Sequence, residues 1–97
     1  MATTTTTKRW DVRDADSGAR LECEWARNEF RVRIIRLGNA GATEADWIDA
    51  IVDTIANCGL HSHQFGMATV LCQGVDVEQA KMLADAIAGD DGAKEVR

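Results

Sequence analysis

Two runs of alternating residues, 21–25 and 30–34, constrain the fold of this chain more than any other feature of its sequence. Apolar and charged residues alternate in both runs, which is the period of a half-buried strand. If Trp25 lies opposite Phe30 across a loop at 26–29, apolar residues meet on one face and acids meet arginines on the other. The apolar pairs are then Trp25–Phe30, Cys23–Val32 and Leu21–Ile34, and the ionic pairs are Glu24–Arg31 and Glu22–Arg33. Because one register satisfies both sets, the sequence predicts an antiparallel hairpin.

Two later segments have the apolar period and the capping residues of amphipathic helices. A capping box that begins at Thr43 predicts a helix over 44–57. A second cap at Asp76 predicts a helix that runs to about residue 88. The residues expected to face the sheet are Trp47, Ile48, Ile51, Val52 and Ile55 in the first helix, and Ala80, Leu83, Ala84 and Ile87 in the second.

The remaining segments complete a predicted sheet. A short first strand is expected over 9–13, and residues 65–72 are apolar on both faces, which favours a central strand parallel to the third through a right-handed crossover. Residues 93–97 predict either a last edge strand or a loose tail. The predicted fold class is therefore α+β, a two-layer sandwich in which a mixed sheet of about four strands, in the order β-β-β-α-β-α with or without a final β, carries two helices on one face. We expect 1–7 to be a disordered arm and 8–97 to form a single α+β domain.

Composition points to a soluble globular protein. Hydrophobic residues make up 45% of the 97 residues and charged residues 28%, which is ordinary for one domain. No apolar run approaches the roughly 18–20 residues of a membrane helix, and the N-terminus has no hydrophobic signal core. We therefore expect a cytoplasmic protein, with Cys23, Cys58 and Cys72 reduced.

The charges are divided by position along the chain. Residues 1–36 hold eight of the eleven Lys and Arg residues against six acids, whereas residues 37–97 hold three against ten. The whole chain has a formal net charge of −5. This division predicts two surfaces of different charge, and so binding partners.

An acidic stripe lies on the first predicted helix. Asp46, Asp49 and Asp53 stand at i, i+3 and i+7, and no Lys or Arg of that helix neutralises them. Such a row can imitate the phosphates of a nucleic-acid strand and attract a basic groove, although a solvated helix face is the simpler alternative. The candidate partner-binding residues are Glu44, Asp46, Asp49, Asp53, Asp76 and Glu78.

The predicted function is therefore a small acidic inhibitor or decoy. It would occupy the basic, nucleic-acid-binding surface of a partner protein or ribonucleoprotein complex, with association steered by charge. Small acidic proteins of this class include phage anti-defence inhibitors such as anti-CRISPR proteins, and immunity proteins. The likeness is one of class and charge, and no family motif carries it.

Two alternatives belong to other functional classes. The open face of the sheet is expected to present Arg20, Arg31, Arg33 and Arg36, which could contact nucleic acid, chiefly through Arg31 and Arg33. Neighbouring glutamates, inward-facing aromatics and the acidic net charge make direct nucleic-acid binding the weaker prediction. The other alternative is a ferredoxin-like regulatory module that binds a small ligand as a homodimer.

Chemistry-bearing motifs give little support for an enzyme. Cys58, His61, His63 and Cys72 have zinc-ligand side chains, but their spacing matches no defined zinc pattern, so we predict no metal and no cofactor. The glycine-containing loop 38–43 lacks the lysine and glycine spacing of a phosphate-binding loop. No nucleophile motif is present, and the chain is predicted not to be an enzyme.

Overall fold

The computed structural model describes residues 7–89 and 92–96, which form six strands and two helices in an α+β fold. The arm predicted over 1–7 lies, apart from Thr7, outside these residues. The elements in chain order are β1 (Lys8–Arg13), β2 (Arg20–Ala26), β3 (Glu29–Arg36), α1 (Glu44–Asn57), β4 (His63–Gln64), β5 (Thr69–Gln73), α2 (Val77–Ala88) and β6 (Lys94–Val96). Neither helix is long and apolar enough to cross a bilayer.

All neighbouring strands of the sheet are antiparallel, in the order β4-β5-β3-β2-β1-β6. The predicted mixed sheet of about four strands is therefore wrong in strand number and in direction. The reason lies in segment 65–72, which is not one strand. The chain leaves α1, forms β4, turns through Gly66 and Ala68 at positive φ, and returns as β5. This reversal places β5 beside β3 in the antiparallel sense.

The predicted hairpin of β2 and β3 is confirmed, and its register agrees at every apolar and ionic pair. Its loop is shorter than expected, because Ala26 pairs with Glu29 and leaves only Arg27 and Asn28 to turn the chain. Both residues have positive φ, 53° and 62°, as a two-residue type I′ turn requires. The register shifts at the open end of the hairpin, where Arg20 pairs with Arg36.

Both helices begin at the predicted capping boxes. The Thr43 hydroxyl accepts the Asp46 N–H at 3.2 Å, and the Asp46 carboxylate accepts the Thr43 N–H at 2.9 Å. Asp76 and Gln79 make the same reciprocal pair at 2.8 and 3.0 Å. These bonds satisfy N–H groups that have no partner within a helix, which fixes where α1 and α2 start.

The core lies between the two helices and one face of the sheet. Along α1, Ile48, Ile51 and Ile55 are buried at helical spacing, and full burial of such a side chain contributes about 1.5–3 kcal/mol. The sheet contributes Trp10, Val12, Leu21, Cys23, Phe30, Val32, Val70 and Cys72, and α2 contributes Ala80, Leu83 and Ala84. Phe65 and Met67, which were expected on a covered strand, are instead 50% and 86% exposed because they lie in the β4–β5 turn.

The turn between β1 and β2 is fastened to the loop that follows β3. Ser17 is 4% exposed, and its hydroxyl donates to Asp14 at 2.6 Å and accepts the Ala19 N–H at 3.1 Å. The Ser17 carbonyl accepts the Asn39 N–H at 2.8 Å. These bonds hold the ends of β1, β2 and β3 together at one edge of the molecule.

The C-terminal segment forms the edge strand that was one of two predicted alternatives. β6 pairs antiparallel with β1, and Trp10 lies opposite Glu95. Its three residues are all exposed. The sheet therefore ends in short strands on both sides, β6 at one edge and β4 at the other.

Candidate interaction surfaces

The three aspartates of the predicted acidic stripe lie on the exposed side of α1, but they differ in their hydrogen bonds. Asp46, Asp49 and Asp53 are all exposed. Asp49 and Asp53 make no ion pair within residues 7–89 and 92–96. Asp46 is engaged by the capping box, and the hydrogen bond from the Thr43 backbone, followed by that with the Thr43 side chain, lowers its pKa. Asp46 therefore stabilises the helix start, and Asp49 and Asp53 are the two aspartates of the stripe that are free for a partner.

Helix α2 repeats this division of roles. Asp76 is the N-cap and accepts the Gln79 N–H, whereas Glu78 is exposed in the first turn. Lys81 is the one basic residue on either helix. Because α1 and α2 pack beside each other on the same sheet face, their exposed acids belong to one layer of the molecule. We call Glu44, Asp49, Asp53 and Glu78 the acidic helical surface.

The opposite face of the sheet is open and carries a mixed charge with a basic excess. Strand alternation and register place seven basic and four acidic side chains there. The basic ones are Arg9, Arg13, Arg20, Arg31, Arg33, Arg36 and Lys94, and the acidic ones are Asp11, Glu22, Glu24 and Glu29. The chain is thus acidic on its helical side and basic on its sheet side.

Each carboxylate on the open sheet face has an arginine partner. Glu24 meets Arg9 at 3.0 Å, although Arg31 was its predicted partner. Arg31 instead lies 3.4 Å from Glu29, and Arg33 lies 3.4 Å from Glu22, as predicted. Arg31 and Arg33, the main arginines proposed to contact nucleic acid, are therefore already paired, and Arg20 is paired with Asp11 at 2.9 Å.

Phe65 is the residue of this face that the sequence reading missed. The Arg31 guanidinium lies over its ring, with 5.5 Å between the guanidinium carbon and the ring centroid. At this distance the contact is a cation–π interaction, and it covers the exposed aromatic of the open face. Gly66 was the available signal, since a glycine inside an apolar strand pattern marks a turn or bulge.

Three arginines meet at the end of the sheet near the β1–β2 turn. Asp11 bridges two of them, with Arg13 Nε at 2.8 Å and Arg20 Nε at 2.9 Å from different oxygens of its carboxylate. Burial raises the pKa of Asp11, but the hydrogen bonds from Arg20 and Arg13 outweigh it, and the net pKa is lowered. Arg36 lies beside this pair along a groove of about 440 Å³.

The zinc-type side chains are not gathered into one cluster. Among the residues that the structure describes, no three His, Cys, Asp or Glu side chains could hold a metal ion together. Cys72 is buried on the core side of β5, whereas Cys58 is the C-cap of α1 and His61 and His63 are exposed. Burial raises the pKa of the Cys72 thiol.

The loop 38–43 leads into α1 with no free anion site at the helix start. The Asp46 carboxylate already accepts the Thr43 N–H there, and its charge would repel an incoming phosphate. Gly38 serves packing, since a Cβ atom at this position would lie 2.6 Å from the Ser17 carbonyl oxygen and 2.8 Å from the Ala19 nitrogen.

No protein-family model matches this chain, and no curated protein or solved structure is significantly similar to it.

Proposed function

We propose that this chain is a non-enzymatic binding protein whose acidic helical surface docks on a basic surface of a partner. The concrete form is an inhibitor or decoy that occupies a nucleic-acid-binding cleft. One contrast supports it: all four acids of the open sheet face are paired with arginines, whereas Glu44, Asp49, Asp53 and Glu78 have no ion-pair partner among the described residues.

Unpaired acids of one sign on neighbouring helical turns repel each other by a few tenths of a kcal/mol per pair. A cationic partner offsets this repulsion and adds attraction, and both effects stabilise the docked complex. Because Asp49, Asp53 and Glu78 are exposed and Glu44 is partly exposed, their attraction for a partner acts over about 10 Å at 0.1 M salt and is screened at higher salt. Association with the partner should therefore be fast and salt-sensitive.

The open sheet face is the weaker candidate for nucleic-acid contact through Arg31 and Arg33. Arg31 is held by Glu29 and Phe65, and Arg33 by Glu22, so binding phosphate would first break these contacts. The regulatory-module alternative stays a prediction. Its expected ferredoxin-like order, β-α-β-β-α-β, differs from the order found here.

Charge reversal tests the proposal. The double variant Asp49→Lys/Asp53→Lys should lose capture of nucleic-acid-binding proteins from an extract of the source organism, while its circular dichroism spectrum stays unchanged. Added oligonucleotide should release the captured protein from the unmodified chain, because a decoy and nucleic acid compete for one cleft.

The control is Asp16→Lys/Glu95→Lys, which changes the net charge equally at two exposed positions off the helices. Because Glu95→Lys also breaks the exposed ion pair with Lys8, the single variant Asp16→Lys is compared with Asp49→Lys as well. Both controls should retain capture. Equal capture by the helical double variant and the unmodified chain would show that the stripe is only a solvated face. A captured protein that nucleic acid does not displace would contradict the decoy, because the two would not share one cleft.

A further inference from the structure

Arg13, Arg20 and Arg36 form one row across three neighbouring strands. Arg13 pairs with Arg20 between β1 and β2, and Arg20 pairs with Arg36 between β2 and β3. Like charges directly opposite each other destabilise an antiparallel pair. The register therefore places three like-charged side chains on neighbouring strands, where they line one groove and their charges oppose the pairing.

The protein compensates this row incompletely. Asp11 is the carboxylate that bridges Arg13 and Arg20, and it uses only the Nε atom of each. The terminal nitrogens of both guanidiniums make no hydrogen bond within residues 7–89 and 92–96, and their side chains are 70% and 42% exposed. Arg36 has no carboxylate within 4.0 Å in the same part of the chain.

A groove of about 440 Å³ lies along this row, and residues of the β1–β2 turn line the rest of it. Asp14 also lines the groove, and its carboxylate accepts the Ser17 hydroxyl at 2.6 Å and the Asp16 N–H at 3.3 Å. These neutral donors leave its charge in place, so the three arginines face two carboxylates, Asp11 and Asp14, and keep an excess of one positive charge. Gly18 leaves the turn open, since a Cβ atom at this position would meet nothing within 4 Å. A small anion can therefore reach the arginines directly.

We propose that this arginine groove, formed by Arg13, Arg20 and Arg36, binds a phosphate group. A phosphate offers several acceptor oxygens in the geometry that guanidinium forks match, and it supplies the negative charge that the row lacks. The phosphate belongs either to a small phosphorylated molecule or to a nucleic-acid backbone, which present the same chemistry. The site lies on the sheet side and is independent of the acidic helical surface.

Thermal unfolding with inorganic phosphate and with pyrophosphate tests the site, with chloride at matched ionic strength as the reference. Both phosphates should raise the midpoint of the unmodified protein above the chloride value, because they bind the folded state. Arg36→Gln should weaken pyrophosphate binding about tenfold, the effect of losing a charged hydrogen-bond pair. Arg27→Gln removes the same charge at the far end of the hairpin and should leave binding unchanged.

The Arg36→Gln substitution should not destabilise the ligand-free protein. Arg36→Gln removes a repulsion from an exposed position, so the ligand-free variant should melt at or above the temperature of the unmodified protein. Loss of the phosphate response with an unchanged ligand-free midpoint then reports on the groove alone. Equal responses of Arg36→Gln and Arg27→Gln, or no midpoint rise above chloride, would overturn the proposal.

A second measurement separates the two phosphate sources. Fluorescence anisotropy of a labelled oligonucleotide that lacks a terminal phosphate reports on backbone binding, and calorimetry with a nucleoside diphosphate reports on a small ligand. Arg36-dependent binding in either assay supports the groove and names its ligand class. Binding in neither assay contradicts it.

Discussion

Gly38 is the residue at which backbone freedom matters most in this fold. It has φ of +81°, and a Cβ atom there would lie 2.6 Å from the Ser17 carbonyl oxygen and 2.8 Å from the Ala19 nitrogen. Both obstacles are backbone atoms of the turn that Ser17 fastens, so neither can rotate away. Gly18 has nearly the same φ, +78°, with open space around it. A comparison of substitutions at these two positions therefore separates the effect of steric contact from that of backbone strain.

Gly38→Ala should therefore destabilise the protein by more than about 2 kcal/mol, since it adds a clash to the strain of a left-handed residue. Gly18→Ala is the matched control and should cost about 1–2 kcal/mol from strain alone. Urea unfolding of both variants measures the difference. Equal losses would mean that the close contact at Gly38 relaxes without effect.

At the scale of elements, helix α1 assigns different tasks to aspartates that look alike in sequence. Asp46 closes the capping box at the first turn, whereas Asp49, one turn later, accepts no hydrogen bond among the described residues. The pattern i, i+3, i+7 groups them as one stripe. The backbone geometry at Thr43 divides the stripe into a structural end and a free end.

Asp46→Asn should lower the stability of the protein, and Asp49→Asn should leave it unchanged or raise it slightly by removing a like charge. The hydrogen bond from the Thr43 backbone lowers the pKa of Asp46 in the folded state. Its contribution is therefore present above the unfolded pKa of about 3.9 and lost as pH falls through the lower folded value. Thermal unfolding of both variants at pH 7 and pH 2.5 checks this. A stability gap for Asp46→Asn that is equal at both pH values would contradict it.

The elements also show what sequence reasoning can reach. The boundaries of α1 and α2 and the β2–β3 register follow from caps and periods that lie close together in the chain, so they are predictable. The β4–β5 turn is not predictable in this way. Segment 65–72 has apolar residues on both faces, like a buried strand, and Ala68 takes a positive φ that alanine disfavours.

For the candidate surfaces, contacts within one hairpin are predictable from the sequence, and contacts that involve a third strand are not. The register alone predicts that Glu24 and Arg31 lie opposite each other on the open face, and the structure agrees. The β2–β3 register does not predict the ion pair between Arg9 and Glu24, because that contact depends on β1 lying on the other side of β2. The arginine row likewise needs three strands and a register shift, which local patterns do not contain.

At the scale of the whole molecule, the core protects two of the three cysteines. Cys23 and Cys72 are buried, at 0% and 1% exposure, and Cys58 is partly exposed at the end of α1. Burial, with smaller effects of Glu22 and Asp11, raises the pKa of the Cys23 thiol to about 12. Both core thiols are therefore neutral and unreactive while the protein is folded.

Thiol labelling at pH 8 should thus show one fast phase and two slow sites that react only through unfolding, more than about 10³-fold slower. Cys58→Ala should remove the fast phase alone. The raised pKa of Cys23 gives stability that is present below about pH 9 and lost as pH rises toward 12, so labelling of the core thiols should accelerate in this window. Labelling of all three thiols at one rate would show that the core opens as easily as the end of α1.

The lengths of β4 and β6, two and three residues, have a consequence for recognition. Strand addition requires a long free edge with a row of unsatisfied N–H and C=O groups, and within residues 7–89 and 92–96 each margin of the sheet ends in one of these short strands. Short edge strands of this kind also disfavour edge-to-edge association of copies of a chain. We therefore expect a partner of the described residues to recognise side chains on the broad surfaces of the molecule rather than to extend its backbone ladder.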